Sequence, residues 1–136
     1  MPPRYLLDTN TASYAIKGSI PRVRQRLQRT ASSDIAISAV TEAELRFGLA
    51  KYPEATRLKV IVEEFLRFAE IRSWDSDAAH HYASVRAAAE REGRPIGSLD
   101  MMIAAHALAF GAVLVTGDRV FRRVAGLKIE DWSKSV

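Results

Sequence analysis

The sequence predicts a three-layer α/β/α domain with a mainly parallel central sheet. Two observations carry this prediction. Short, almost wholly apolar runs recur along the chain, and longer helical patterns separate each run from the next. Strands that alternate with helices are joined by right-handed crossovers, which make neighbouring strands parallel and lay helices on both faces.

The first run, Arg4 to Leu7, reads as a buried strand that ends in Asp8-Thr9-Asn10. A short helix from about Thr11 to Lys17 stops at Gly18, and Pro21 falls near the first turn of a second helix. Ile20, Val23 and Leu27 form the inner stripe of that second helix, while Arg22, Arg26 and Arg29 share its outer face. Such a face is either a solvated surface or a contact for phosphates, and Arg119, after the apolar run that ends at Val115, offers a further cation. Asp34 to Ser38 is a second strand and Thr41 to Lys51 a helix. On that helix Glu42 and Glu44 lie about 200° apart, so at most one faces a common site. Thr41 and Glu44 also have the spacing of a capping box. Periodicity leaves open whether Glu44 serves the helix end or a site.

Pro53 precedes a helix from about Glu54 to Phe68, whose Leu58, Ile61, Val62, Phe65 and Leu66 form a broad apolar face. A third strand, Ala69 to Ser73, leads to Asp75 or Ser76 as cap of a helix from Asp77 to Glu92. Residues 93–97 then connect to a helix with Ser98 as N-cap, Asp100 in its first turn and Gly111 as its stop. Ala104, Ala107 and Gly111 fall within about 40° of Asp100 around the axis, a face small enough to lie close against a sheet. Ala112 to Val115 is a doubly buried strand closed by Thr116-Gly117-Asp118, and a short helix precedes a last strand near Leu127 to Asp131.

Two acids, Asp8 and Asp118, therefore leave the carboxyl ends of apolar strands, where open α/β sheets place their sites. A third, Asp100, sits where a helix dipole favours negative charge. Ordinary turn formers and first-turn acids occupy the same kinds of position, so each alone is weak.

The 136 residues, 1–136, make one ordinary domain, with no window apolar enough for a membrane span and no signal-peptide pattern, which sets a cytoplasmic expectation. With no cysteine, thiolate chemistry is excluded and a metal must be held by oxygen or imidazole. The imidazoles fit poorly. His80 and His81 are adjacent, and His106 lies about 240° around its helix from Asp100. Oxygen ligands alone suit Mg²⁺ or Mn²⁺. The net charge of +4 permits a nucleic-acid partner. A phosphoaspartyl phosphatase would want a second Asp where Asn10 stands, and a receiver domain would want a Lys where Gly117-Asp118 follows the late strand. The remaining alternative is a non-catalytic acidic module that binds a metal or a partner.

Five pieces in order carry a resemblance: LLDTN (6–10), ISAVTEAELRFG (37–48), GRPIGSLDMMIAAHAL (93–108), LVTGDRVFRRV (114–124) and the terminal GLKIEDW. Together they resemble the PIN-domain nucleases, and more closely the VapC-type toxins of bacterial toxin–antitoxin pairs, over nearly the full length. The resemblance implies a metal-dependent endoribonuclease with catalytic Asp8, Glu44, Asp100 and Asp118. It also implies metal ligation by Asp8, Asp100 and Asp118, with Thr9, Asn10 and Thr116 in support. It selects Glu44 over Glu42. It implies Mg²⁺ or Mn²⁺, a structured RNA substrate such as a tRNA, products with a 5′ phosphate, a VapB-type antitoxin and a homodimer. Two departures stand out: Ser98 replaces a frequent proline, and Gly117-Asp118 replaces a common Asn-Asn. Neither removes an acid.

Overall fold

The apolar runs pair into a single five-stranded sheet in the order β3-β2-β1-β4-β5, with every pair parallel. A computed structural model describes residues 2–134. Its strands are β1 (Tyr5–Leu7), β2 (Ile35–Ser38), β3 (Glu70–Arg72), β4 (Val113–Val115) and β5 (Ile129–Glu130). The helices are α1 (Thr9–Lys17), α2 (Pro21–Gln28), α3 (Ala39–Lys51), α4 (Thr56–Phe68), α5 (Ser76–Glu92) and α6 (Ser98–Phe110), with 3₁₀ turns at Ser32–Asp34 and Arg119–Arg123.

Alternation along three-residue strands splits the core in two. Tyr5, Leu7, Ile35, Ile37 and Val115 point to one side, where they meet Ala12 and Ile16 of α1, Val23 of α2 and Val62, Phe65 and Leu66 of α4. Leu6, Ala36 and Leu114 point to the other, against Val85 and Ala89 of α5 and Ile103, Ala104 and Ala107 of α6. The small face expected around Asp100 thus lies on the sheet, with Ala104 and Ala107 wholly buried. The predicted three layers follow.

This arrangement fixes where a site can form. The connections β1 to β2 and β2 to β3 step one way across one face; the β3 to β4 connection returns over the other face to the far side of β1. Strand order therefore reverses between β1 and β4, and a crevice opens beyond their carboxyl ends. Leu7 and Val115 are the last paired residues there.

Five helix starts differ from the sequence expectation by one or two residues: α4 begins at Thr56 and α5 at Ser76, and at the other three another residue does the capping. Helix α1 begins at Thr9, two residues early, because the Asp8 carboxylate accepts from Thr11 N. Helix α3 begins at Ala39 under Ser38, so Thr41 is an interior residue with no cap role. Helix α6 takes Gly97 as its cap: Met101 N donates to Gly97 O at 2.9 Å, which places Ser98 one position inside. At α5 the first of the two candidates, Asp75, caps through Ala78 N.

Candidate active site

Asp8 leaves β1 directly into the crevice and is buried, 4% exposed. Its Oδ1 accepts from Thr11 N at 2.8 Å and its Oδ2 from Thr116 Oγ1 at 2.5 Å. Thr116 in turn leaves β4, and its hydroxyl oxygen accepts from Asp118 N at 3.0 Å. One hydroxyl thus links the ends of both strands: its proton goes to Asp8 and its lone pair to the backbone of Asp118. Thr11, which no sequence pattern marked, adds a second link by donating its hydroxyl to Val115 O at 3.0 Å.

Asp118 caps the 3₁₀ turn Arg119–Arg123 through Val120 N, and the buried Phe121 anchors that turn in the core. Its Oδ1 is used; the side chain stays exposed. Glu44 projects from α3 toward α1, where Thr9 Oγ1 donates to its Oε1 at 2.5 Å and lies 3.2 Å from Thr41 Oγ1. Glu44 is therefore tied to the first helical residue after Asp8. The capping-box geometry does not form. Glu42 turns away to Arg46, which also holds Glu63 of α4. Asn10 is exposed in the first turn of α1.

Asp100 occupies the first turn of α6, partly buried, beside Gly97. Its carboxyl is held above the ordinary range, first by burial and then by the charges of Asp118, Glu44 and Asp8. The Asp8 carboxyl is raised too, because burial outweighs the hydrogen bonds from Thr116 and Thr11 that favour its anion, and Asp118 adds to the rise. Four acids from four separate elements thus act on one another. Among the described residues none of the four forms an ion pair with Lys, Arg or His. Their side chains do not converge on one point, since among the described residues no three acidic or imidazole groups stand close enough to enclose an ion. The donor set is oxygen only, and neighbouring carboxylates without a cationic partner among the described residues are a set that a hard divalent cation fits.

The histidines stay out of it. His106 is buried on α6 with Nδ1 2.8 Å from Ser38 Oγ, and His80 and His81 are exposed on α5. The arginines divide. Arg22 and Arg29 are exposed at the outer face of α2, and Arg119 is exposed next to Asp118. Arg26 on the same face pairs with Glu130 at 3.3 Å and lies over the Trp132 ring.

A family profile described as PIN domain matches residues 5–127. The chain is 38% identical over 130 residues to the tRNA(fMet)-specific endonuclease VapC of Salmonella typhimurium, a match that covers 95% of this chain and 98% of that one. It is 34% identical to ribonuclease VapC2 of Rickettsia felis, with 96% and 98% covered. Among solved structures, the fold is similar to the DNA-bound VapBC of Salmonella typhimurium, with a TM-score of 0.89 at 38% identity over 96% of this chain and 98% of that one. It is similar also to VapBC2 of Rickettsia felis bound to a promoter DNA fragment, with a TM-score of 0.86 at 32% identity over 94% and 98%.

Proposed function

The chain belongs to the PIN-domain family, and from that premise we propose that it is a VapC-type toxin: a cytoplasmic endoribonuclease that uses Mg²⁺ or Mn²⁺ and is inhibited by a cognate antitoxin. The observation that supports this reading is that Asp100 feels the charges of Asp118, Glu44 and Asp8 around the β1–β4 switch point, and that none of the four has a cationic partner among the described residues. Among those residues no helix is long and apolar enough to cross a membrane.

In this reading Asp8, Asp100 and Asp118 hold the cation, each retaining at least one carboxylate lone pair not taken by a protein donor. A divalent ion there supplies Lewis-acid polarisation of the scissile phosphodiester and a lowered pKa for the attacking water. Thr116 favours the Asp8 anion and fixes it by donating to Oδ2, while Thr9 fixes Glu44, whose other oxygen, unpaired among the described residues, can orient water or accept a proton from it. Asn10 stands exposed at the rim of the crevice, where a phosphate oxygen or ribose hydroxyl would meet its amide.

The substrate class is RNA with an exposed single-stranded segment. A shallow site at strand ends admits a backbone that bends toward it, and a paired helix does not offer one. A tRNA loop is the specific proposal, on the strength of the relative named for tRNA(fMet). The antitoxin is expected to bring an Arg or Lys into the carboxylates and so compete with the cation, and two copies of the chain are expected to dimerise.

The decisive experiment incubates purified protein with total cellular RNA and Mg²⁺ or Mn²⁺ and maps new 5′ ends. Asp8→Asn, Asp100→Asn and Glu44→Gln should each cut the rate by about 10²-fold or more, whereas Glu42→Gln stays active. A folded Asp100→Asn protein with wild-type activity would sink the assignment. No metal-dependent turnover by the wild type would favour the non-catalytic acidic module.

A further inference from the structure

Beyond β5 the surface holds a cavity of about 460 Å³ between α2 and the segment that follows the last strand. Its floor is rigid. Arg26 Nη2 meets Glu130 Oε1 at 3.3 Å, Trp132 Nε1 donates to the same oxygen at 3.1 Å, and the Arg26 guanidinium lies 5.0 Å over the Trp132 ring. Trp132 is itself buried with its ring edge on Tyr5 of β1. The charge of Arg26 is therefore spent within the fold.

The walls are different. Arg22 and Arg29 are seven residues apart, within about 20° of each other around the α2 axis, and both line the cavity. Both are exposed and, among the described residues, neither pairs with an acid. Arg24 shows what a structural arginine on this helix looks like: its guanidinium donates to Ala15 O and Ile16 O at the end of α1. It packs so tightly on Gly18 that a Cβ there would come within 2.7 Å of it. Among the described residues, no side-chain contact of that kind holds Arg22 or Arg29.

The cavity adjoins the strand ends that carry the carboxylates. Glu130 O accepts from Thr116 N at 2.9 Å, and a Cβ on Gly117 would lie 3.5 Å from Asp131 Oδ1 on the cavity rim. A polyanion drawn across four carboxylates is repelled by them, so its flanks must be held by cations close to the site. We propose that this cavity is where the RNA strand runs on from the hydrolytic site, its backbone phosphates held by Arg22 and Arg29 over the Arg26–Trp132 floor. Guanidinium forks suit phosphate oxygens, and contact through the backbone alone leaves the choice of cut site to the rest of the RNA.

This inference rests on the nuclease reading, and its test separates the two. A fluorescein-labelled single-stranded oligoribonucleotide is titrated with Asp8→Asn protein at several salt concentrations. The added pair Arg22→Gln and Arg29→Gln should weaken binding about tenfold and lower the log–log salt slope by about 0.7 for each phosphate left without its arginine. The pair Arg57→Gln and Arg67→Gln, exposed on α4, should change neither. Because the chain has no cysteine, Gln25→Cys carrying a photoreactive label should crosslink the strand from within the cavity, and Arg57→Cys should not. Equal weakening from both arginine pairs, or none from Arg22 and Arg29, overturns the proposal. So does a cavity that binds poly-glutamate while RNA ignores those arginines, since that assigns it to an acidic protein. Cleavage by the wild type with unaltered binding in the Arg22/Arg29 variant removes this inference alone; RNA held there by a wild type that never cleaves removes the nuclease reading alone.

Discussion

Two neighbouring strands, β1 and β2, end in the same device and use it for opposite purposes. Each passes its last apolar residue and places a buried polar side chain that caps the next helix, Asp8 through Thr11 N and Ser38 through Val40 N. Each side chain also has a second partner from a distant element, Thr116 for Asp8 and His106 for Ser38. At Ser38 the arrangement is neutral and satisfied. Burial holds the His106 imidazole below its ordinary proton affinity, and with Ser38 Oγ accepting from Val40 N, the serine proton suits the tautomer in which Nδ1 accepts. At Asp8 burial opposes the charge and Asp118 opposes it further. A serine would cap α1 as well, so capping alone does not call for a carboxylate. Stability is given up at the strand end that faces the other acids and retained at the one that does not.

The sharpest way to break this comparison is to remove the second partner on each side. Thr116→Val keeps shape and burial but takes the proton donor from Asp8 Oδ2 and the acceptor from Asp118 N. We expect activity to fall about 10–100-fold, as for other groups that orient metal-ligating side chains, with the acidic limb of the pH–rate profile moved upward. Initial rates on a labelled RNA across pH measure both. Ser38→Ala should do the reverse. It strips a helix cap and leaves His106 Nδ1 without its donor, which costs about 1–3 kcal/mol in urea unfolding, while the rate per folded molecule stays within about twofold. A fall in activity on Ser38→Ala at unchanged stability would erase the distinction between the two strand ends.

The strand ends were legible in the sequence because an acid after a short apolar run is a local pattern, and so were the layers, because alternation of strand and helix is one too. Glu44 was not. The capping-box spacing was real, but Ser38, three residues before Thr41, does the capping, and what places Glu44 is a hydroxyl on Thr9, 35 residues away in sequence. The arginine face of α2 shows the same limit. Periodicity put Arg22, Arg26 and Arg29 together, yet their separate fates depend on Glu130 and Trp132, about a hundred residues on. Ser98 failed for a smaller reason: helix α6 closes its first bond on Gly97, a shift of one residue that a good capping side chain did not prevent.

The subtlest test concerns stability at Asp8 itself. Its carboxyl binds a proton more tightly in the folded chain than at the ordinary aspartate value of 3.8, because burial and Asp118 disfavour the anion more than Thr116 and Thr11 favour it. Between that value and the raised one, the folded state holds more protons than the unfolded state, so stability from this group declines as pH rises through the window and stays reduced above it. Asn at position 8 cannot ionise and escapes the decline, while its amide can still cap Thr11 N through oxygen and donate to Thr116. In a chelator-containing buffer, Asp8→Asn should therefore melt above the wild type at neutral pH, with the gap narrowing as pH falls and gone below 3.8. Divalent cation should narrow it from the other side by stabilising the wild type. A variant that melts below the wild type at neutral pH under chelation would mean that the hydrogen bonds to the anion outweigh its burial, and that Asp8 is a structural cap like Ser38 after all.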